Sequence, residues 1–226
     1  MMKTKNFKAI LFDADGTLYD STMLHFEAYQ IVSRELYDFD FSEKLYFDEC
    51  IDHYKKPTQV LREQGIDCKD EDFYSRKRPL FYEIAQKKLK PTAGLLDFLH
   101  AVKQQGIPCV IVSGASHNSL EDSLNILGLS DFFEFRIAYE DSSENQKPHP
   151  YPYERAIVRL GISPKEGLAF EDTESGVASA NQAGLFCIGV KNATNSKKQL
   201  EKSQFIISDF NELDCTFNKE FTLNYA

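Results

Sequence analysis

Short apolar runs alternate along the chain with stretches in which apolar residues recur every three or four positions. The runs have the length of buried strands, and the stretches between them have the spacing of one helix face. Alternation of strands with helices is typical of an α/β fold with a doubly wound parallel sheet, which we therefore predict. Beyond residue 210 the pattern is too weak to predict an element. The predicted strands span 7–12, 108–112, 133–139, 168–170, 185–190 and 205–207.

The segment from residue 20 to residue 90 departs from this alternation. It contains no strand-like run, and its apolar residues, such as Leu24, Ala28 and Ile31, follow helical spacing. We interpret the segment as an all-helical domain inserted after the first strand of the sheet. The predicted organisation is an α/β core domain formed by residues 1–19 and 91–226, with a helical cap domain at 20–90.

Composition narrows the classes of protein that the chain can represent. Its 226 residues are 42% hydrophobic and 27% charged, which is enough to bury a core. The net charge of −9 argues against binding to nucleic acid or to an anionic membrane, because both need a basic face. No apolar run has transmembrane length. The five cysteines form no C-x-x-C pair, so we expect a reduced, cytoplasmic protein.

Candidate chemistry begins directly after the first predicted strand, in the segment Phe12-Asp13-Ala14-Asp15-Gly16-Thr17-Leu18. In a doubly wound sheet, ligands bind beyond the carboxyl ends of the strands, where both carboxylates are expected. Two carboxylates this close suit a hard cation such as Mg²⁺. The alternative is an ordinary Asp-Gly turn in which Asp15 has only a structural role.

Three further segments place polar side chains near the ends of later strands or starts of helices. Ser113 is followed by Gly114 and Ala115, whose backbone N–H groups could bind an anion at a helix start. Lys147 lies in Lys-Pro-His-Pro, and the pair Glu171-Asp172 ends another strand. Each has an ordinary explanation: Ser113 in a turn, Lys147 as a solvated lysine, and the acids at a helix N-terminus.

Taken in order, the four segments resemble the motifs of the haloacid dehalogenase superfamily of phosphatases and phosphomutases. These motifs are Asp-x-Asp-Gly-Thr, a serine at a strand end, Lys-Pro-x-Pro, and Glu-Asp-x-x-x-Gly. The helical insertion resembles the cap of the branch that includes β-phosphoglucomutase. The resemblance extends from about residue 8 to about residue 209.

The resemblance implies a role for each matching residue. Asp13 would attack phosphorus and form an aspartyl-phosphate, and Asp15 would act as general acid and base. Mg²⁺ would be held by Asp13, the Asp15 carbonyl and Asp172, assisted by Glu171. The transferring phosphoryl group would be bound by Ser113, Gly114, Ala115 and Lys147.

We therefore expect a Mg²⁺-dependent phosphatase that acts on a small phosphorylated metabolite. A sugar phosphomutase is the alternative: His25 matches a cap histidine of β-phosphoglucomutase by its spacing from Asp13, but no Ser-Arg phosphate-binding loop follows. A phospho-receiver domain would share the chemical groups but lacks a helical insertion. A 2-haloacid dehalogenase is disfavoured, because its reaction needs neither the second aspartate nor a metal. A catalytically silent binding module is also disfavoured, because it would not need the full set of residues. The sequence predicts neither the substrate nor the oligomeric state.

Overall fold

The structure is a computed structural model that describes residues 3–53, 55–142, 144–217 and 221–225. The chain folds into two compact units. One unit comprises the residues up to Asp20 together with those from Lys90 onward, and the other comprises Ser21–Leu89. The idea that the second unit acts as a cap stays a prediction.

The first unit contains the strands that the structure describes, together with four longer helices. Its strands are β1 (Lys3–Phe7), β2 (Ala9–Phe12), β3 (Cys109–Val112), β4 (Arg136–Ile137), β5 (Gly167–Glu171), β6 (Phe186–Val190), β7 (Phe205–Ile207), β8 (Cys215–Phe217) and β9 (Phe221–Tyr225). The helices of the Ser21–Leu89 unit are α1 (Thr22–Tyr37), α2 (Glu43–Leu45), α3 (Pro57–Glu63) and α4 (Asp70–Lys88), with a π-helical segment at Tyr46–Asp52. The first unit adds α5 (Leu95–Gln104), α6 (His117–Leu127), α7 (Tyr151–Leu160) and α8 (Glu174–Gln182).

The main sheet has, among the described residues, six parallel strands in the order β4-β3-β2-β5-β6-β7. Strand β2 lies between β3 and β5, so the chain leaves β2 to one side and later returns to its other side. This is the topological switch point at which α/β sheets bind ligands. The predicted fold class, a doubly wound parallel sheet with helices, is confirmed.

Successive residues of the central strands face opposite sides of the sheet, as the twofold strand repeat requires. Leu11 and Ala169 belong to one apolar cluster, which includes residues of α7 and α8. Phe12 and Phe170 face the other side, where their rings stack at 5.2 Å and contact Phe98 of α5. Both faces of the sheet are therefore apolar, which explains why the strands are continuous apolar runs.

Two predictions about strands were inaccurate. The run 133–139 contains only the short strand β4, since Phe133 packs against Phe12 and Tyr139–Asp141 forms a 3-10 turn. The run 7–12 is not one strand either: Phe7 ends β1, whereas β2 begins at Ala9. Strand β1 forms a separate antiparallel sheet with β8 and β9, in the order β1-β9-β8. Strands β8 and β9 had no clear signal in the hydrophobic pattern, because both are short and rest on pairing with each other and with the N-terminal strand.

The Ser21–Leu89 unit has its own aromatic core. Phe26, Phe41 and Phe73 are buried there, with the rings of Tyr29 and Tyr46 packed among them. In the described residues, no helix of either unit is long and apolar enough to cross a lipid bilayer.

Candidate active site

The strand order brings the chemically active side chains to one edge of the sheet. Asp13 directly follows β2, Ser113 directly follows β3, and Asp172 directly follows β5, which itself ends at Glu171. Since these three parallel strands are neighbours, their carboxyl ends lie side by side. The Asp13 N–H also donates to the carbonyl oxygen of Phe170 at 2.9 Å, which continues the ladder between β2 and β5.

Lys147 connects the ends of all three strands. Its Nζ donates to Asp13 Oδ1 at 2.6 Å and to the Val112 carbonyl oxygen at 2.7 Å, and it lies 2.6 Å from Glu171 Oε1. Burial alone would lower the pKa of Lys147, but the carboxylates of Asp13 and Glu171 outweigh burial and raise it. The side chain is only 10% exposed, so this is a fixed buried cation and not a solvated surface lysine.

Glu171 is fully buried and is held by Lys147 and by a tyrosine from α7. The hydroxyl of Tyr153 donates to Glu171 Oε1 at 2.6 Å, whereas Oε2 has no hydrogen-bond partner among the described residues. Burial raises the pKa of Glu171 to about 7, partly offset by Lys147. A Cβ on Gly176 would lie 1.9 Å from Oε2, so this position of α8 needs glycine for space.

Asp13, Glu171 and Asp172 form a buried acidic triad whose ligand oxygens lie within 4.8 Å of one another. Burial raises the pKa of Asp172 well above its usual range, and the charges of Asp13 and Glu171 raise it further. Asp172 Oδ1 is buried, and no residue in the described part of the chain bonds to it. A divalent cation would satisfy this oxygen and offset the repulsion, and all the donors are the hard oxygens that such cations prefer. The residues present therefore fit a metal ion.

Asp15 lies in the turn that follows β2 and is less buried than Asp13. The turn is closed by the Gly16 N–H, which donates to the Tyr19 carbonyl oxygen at 2.6 Å. Gly16 has a φ of +93°, a left-handed conformation that favours glycine. Among the described residues, the carboxylate of Asp15 is not part of the acidic triad. Its proposed acid–base role and the metal-binding role of its carbonyl stay predictions.

The predicted phosphate-binding loop is organised around Ser113. Its side chain is buried, and its Oγ accepts a hydrogen bond from the Ala115 N–H at 3.1 Å. No atom of the described residues lies within 4 Å of the space that a Cβ on Gly114 would occupy. Ser116, in contrast, is the N-cap of α6, with its Oγ accepting from the Ser119 N–H. Phosphate binding by Ser113, Gly114 and Ala115 stays a prediction.

Two residues of this site, Tyr153 and Asn192, were not predicted from the sequence. Nothing in the sequence around Tyr153 indicates a contact with Glu171, which follows it by 18 positions. Asn192 lies in the loop after β6, where its Nδ2 donates to Asp172 Oδ2 at 2.9 Å. The polar run Lys191–Asn195 after an apolar strand was a usable signal, because it ends a strand at the same edge of the sheet.

His25 belongs to the other unit and is partly buried in α1. Its Nδ1 lies 2.6 Å from Nζ of Lys77, and its ring stacks on Phe81 at a centroid distance of 4.1 Å. Burial lowers the pKa of His25 to about 3, with a further contribution from the positive charge of Lys77. The neutral imidazole is therefore an acceptor for the lysine ammonium group.

A parallel α/β sheet whose switch point holds a buried lysine among converging carboxylates has the groups needed to hold a cation beside an anionic ligand. The family follows from sequence comparison. Residues 10–190 match the model of the haloacid dehalogenase-like hydrolases, and the chain belongs to that family.

Individual proteins are similar to the chain over most of its length. It is 30% identical to the phosphorylated carbohydrates phosphatase of Thermotoga maritima, over 85% of this chain and 89% of that protein. Identity to the pyrophosphatase PpaX of Bacillus pumilus is 25%, over 94% and 97% of the two chains. A family IA, variant 3 hydrolase of the same family from Entamoeba histolytica has a similar structure, with a TM-score of 0.73 and 25% identity over 91% and 95% of the chains. The predicted class, a phosphoric ester hydrolase of this family, is confirmed.

Proposed function

We propose that the protein is a Mg²⁺-dependent phosphatase that hydrolyses a small phosphorylated metabolite through an aspartyl-phosphate on Asp13. The observation that carries the proposal is that Asp13, a member of the acidic triad, accepts a hydrogen bond from the cation Lys147 at 2.6 Å. A phosphorylated sugar is the favoured substrate class, because the Thermotoga maritima relative is a phosphatase of phosphorylated carbohydrates.

In the first step, a carboxylate oxygen of Asp13 attacks phosphorus while the bond from phosphorus to the ester oxygen breaks. Asp15 gives its proton to the departing ester oxygen, which leaves as an alcohol. In the second step, Asp15 takes a proton from water, whose oxygen attacks phosphorus. The bond between phosphorus and Asp13 breaks, inorganic phosphate is released and the free carboxylate of Asp13 is restored.

Lys147 lies where it can stabilise the negative charge that develops in both steps. Its fixed ammonium group offsets the charge that gathers on Asp13 and on the phosphoryl oxygens, without rearrangement during the reaction. Ser113 and the N–H group of Gly114 would donate to the phosphoryl oxygens. Asp13, Asp172 and Glu171, together with the Asp15 carbonyl, would hold Mg²⁺, which supplies positive charge where carboxylates and phosphate would otherwise repel.

Phosphate release from a panel of phosphorylated sugars and nucleotides, with and without Mg²⁺, tests the proposal. We expect turnover with Mg²⁺ and loss of turnover with excess chelator, restored when Mg²⁺ is added back. Full activity in excess chelator would contradict the Mg²⁺ dependence that we propose.

A sugar phosphomutase is the second candidate, and the contact of His25 with the buried Lys77 favours it by placing a cation inside the helical unit. Against it, Arg34, Arg62 and Arg76 of that unit pair with acids of the same unit, at 2.6, 2.8 and 2.9 Å. These arginines are therefore poor candidates for a second phosphate clamp.

Phosphorus NMR separates the two reactions. With β-glucose 1-phosphate as substrate, we expect growth of the inorganic phosphate signal. Conversion to glucose 6-phosphate with negligible free phosphate would make the mutase the correct assignment.

A further inference from the structure

The loop after β6 places an amide group against the acidic triad. Asn192 Nδ2 donates to Asp172 Oδ2 at 2.9 Å and to the Gly16 carbonyl oxygen at 3.3 Å. One side chain therefore connects the end of β5 with the turn that follows β2. Both contacts use the two hydrogens of the amide nitrogen, so the donor capacity of this group is filled.

The other end of the amide is fixed by its own loop. Asn192 Oδ1 accepts from the Thr194 N–H and the Thr194 hydroxyl at 3.0 Å each, and from the Asn195 N–H at 2.9 Å. Since donors surround Oδ1, the amide has one satisfactory orientation, with Nδ2 towards Asp172. Asn195 fixes the same loop to the ends of β5 and β6. Its Nδ2 donates to the carbonyl oxygens of Asp172 and Val190 at 2.8 and 2.9 Å.

This arrangement leaves the two oxygens of Asp172 in different states. Oδ2 is taken by Asn192, whereas Oδ1 is buried and receives no hydrogen bond from any residue that the structure describes. Asp172 and Asn192 leave no room for a side chain at position 16. A Cβ on Gly16 would lie 1.9 Å from Asp172 Oδ2 and 2.8 Å from Asn192 Nδ2. The carboxylate is thus held in one orientation, with Oδ1 available to a cation.

We propose that Asn192 is a positioning residue that fixes the Asp172 carboxylate for a divalent cation before the cation binds. The assignment rests on the proposed function for the identity of the cation, and it adds a residue outside the four motifs to the site. Groups that hold a metal ligand by hydrogen bonds commonly change metal affinity 10- to 100-fold when they are removed.

The test is Mg²⁺ binding measured by isothermal titration calorimetry on the metal-free protein, without substrate. We expect Asn192→Ala to weaken Mg²⁺ binding by about 10- to 100-fold. Thr194→Val removes one donor to Oδ1 but leaves the amide bridge to Asp172, so its affinity should fall by no more than about threefold. Asn181→Ala is the control, since this asparagine contacts Lys202 and Gln204, and it should bind Mg²⁺ like the wild type.

Asn192→Asp covers the case in which the alanine variant does not fold. It keeps the acceptor oxygen that organises the loop and replaces the donor with a carboxylate oxygen against Asp172. Loss of the donor and repulsion between the two carboxylates should move Asp172 out of position and lower the melting temperature of the metal-free protein. Mg²⁺ should therefore raise that temperature by less than it does in the wild type, and a larger rise would contradict the proposal. A Mg²⁺-dependent shift equal to that of the wild type would overturn the proposal.

The remaining outcomes separate this inference from the proposed function. If wild-type protein binds Mg²⁺ and releases phosphate while folded Asn192→Ala binds Mg²⁺ within about twofold of the wild type, the inference alone is overturned. An equal loss in Thr194→Val and Asn192→Ala would also overturn it, because the loop and not the amide bridge would then be responsible. If wild-type protein neither binds Mg²⁺ nor releases phosphate, the proposed function fails and this inference fails with it.

Discussion

The ion pairs at the end of the main sheet and the arginine ion pairs of the Ser21–Leu89 unit differ in their exposure to water. At the end of the main sheet, Lys147 and its carboxylate partners are almost completely removed from water, and Glu171 is fully buried. In the Ser21–Leu89 unit, the ion pairs of Arg34, Arg62 and Arg76 lie at the surface. The interior of that unit is instead filled mainly by aromatic rings.

The difference indicates which charged groups lower the stability of the fold and are therefore expected to have a chemical role. Exposed ion pairs contribute about 0–1 kcal/mol each, so their positions say little about function. Burying several like charges together costs far more and is tolerated only when opposite charges or a bound cation compensate. The acidic triad beside Lys147 is therefore the part of the molecule on which a catalytic hypothesis can be tested directly.

The largest effect is expected for Asp13→Asn. An amide is a poor nucleophile, so turnover of an activated aryl phosphate should fall by about 10⁴- to 10⁶-fold. The two side chains have the same shape, and circular dichroism should show a retained fold. A folded Asp13→Asn protein with activity near that of the wild type would remove the nucleophile assignment.

Lys147→Gln should have the next largest effect. Loss of the fixed cation should lower kcat by about 10²- to 10³-fold, because the charge gathered at Asp13 is no longer offset. Removal of one partner of a buried ion pair should also lower the free energy of unfolding by about 3–5 kcal/mol, measured by urea denaturation.

Lys198→Gln is the matched control for that variant, since Lys198 is an exposed lysine of the same unit. Its activity and unfolding midpoint should equal those of the wild type. If Lys147→Gln kept activity within about threefold of the control, Lys147 would have no catalytic part.

The smallest expected effect concerns the helical unit, where the pKa of His25 is lowered to about 3 by burial and by Lys77. An unfolded histidine has a pKa near 6.5, so the unfolded state binds a proton that the folded state does not bind. The stabilisation is complete above about pH 6.5 and is lost as the pH falls towards 3. Because His25 is only partly buried, the loss between pH 7 and pH 5 is at most about 2 kcal/mol.

Urea unfolding of His25→Phe at several pH values measures this contribution. The phenyl ring can keep the stacking on Phe81 without titrating, so the pH dependence should be flatter than in the wild type. His53→Gln, which changes an exposed histidine of the same unit, should leave the wild-type dependence in place. Equal slopes for His25→Phe and wild type would contradict the burial of a neutral His25.

Much of the main sheet could be predicted because buried parallel strands are continuous apolar runs with polar residues at their ends. β2, β3, β5 and β6 follow that rule closely. β8 and β9 do not follow it, since they pair with each other, and β9 also pairs with β1 from the other end of the chain. A periodicity read along one segment contains no information about such a distant partner.

The order of acidic, hydroxyl and basic groups along the chain, and their association with strand ends, could be predicted from the local sequence. Those features are local, because a strand end is set by neighbouring residues. Only the tertiary structure decided that Lys147 donates to Asp13 and lies against Glu171, that Tyr153 supports Glu171, and that Asn192 meets Asp172. These contacts join residues from 18 to 134 positions apart, and strand order and helix packing set their distances.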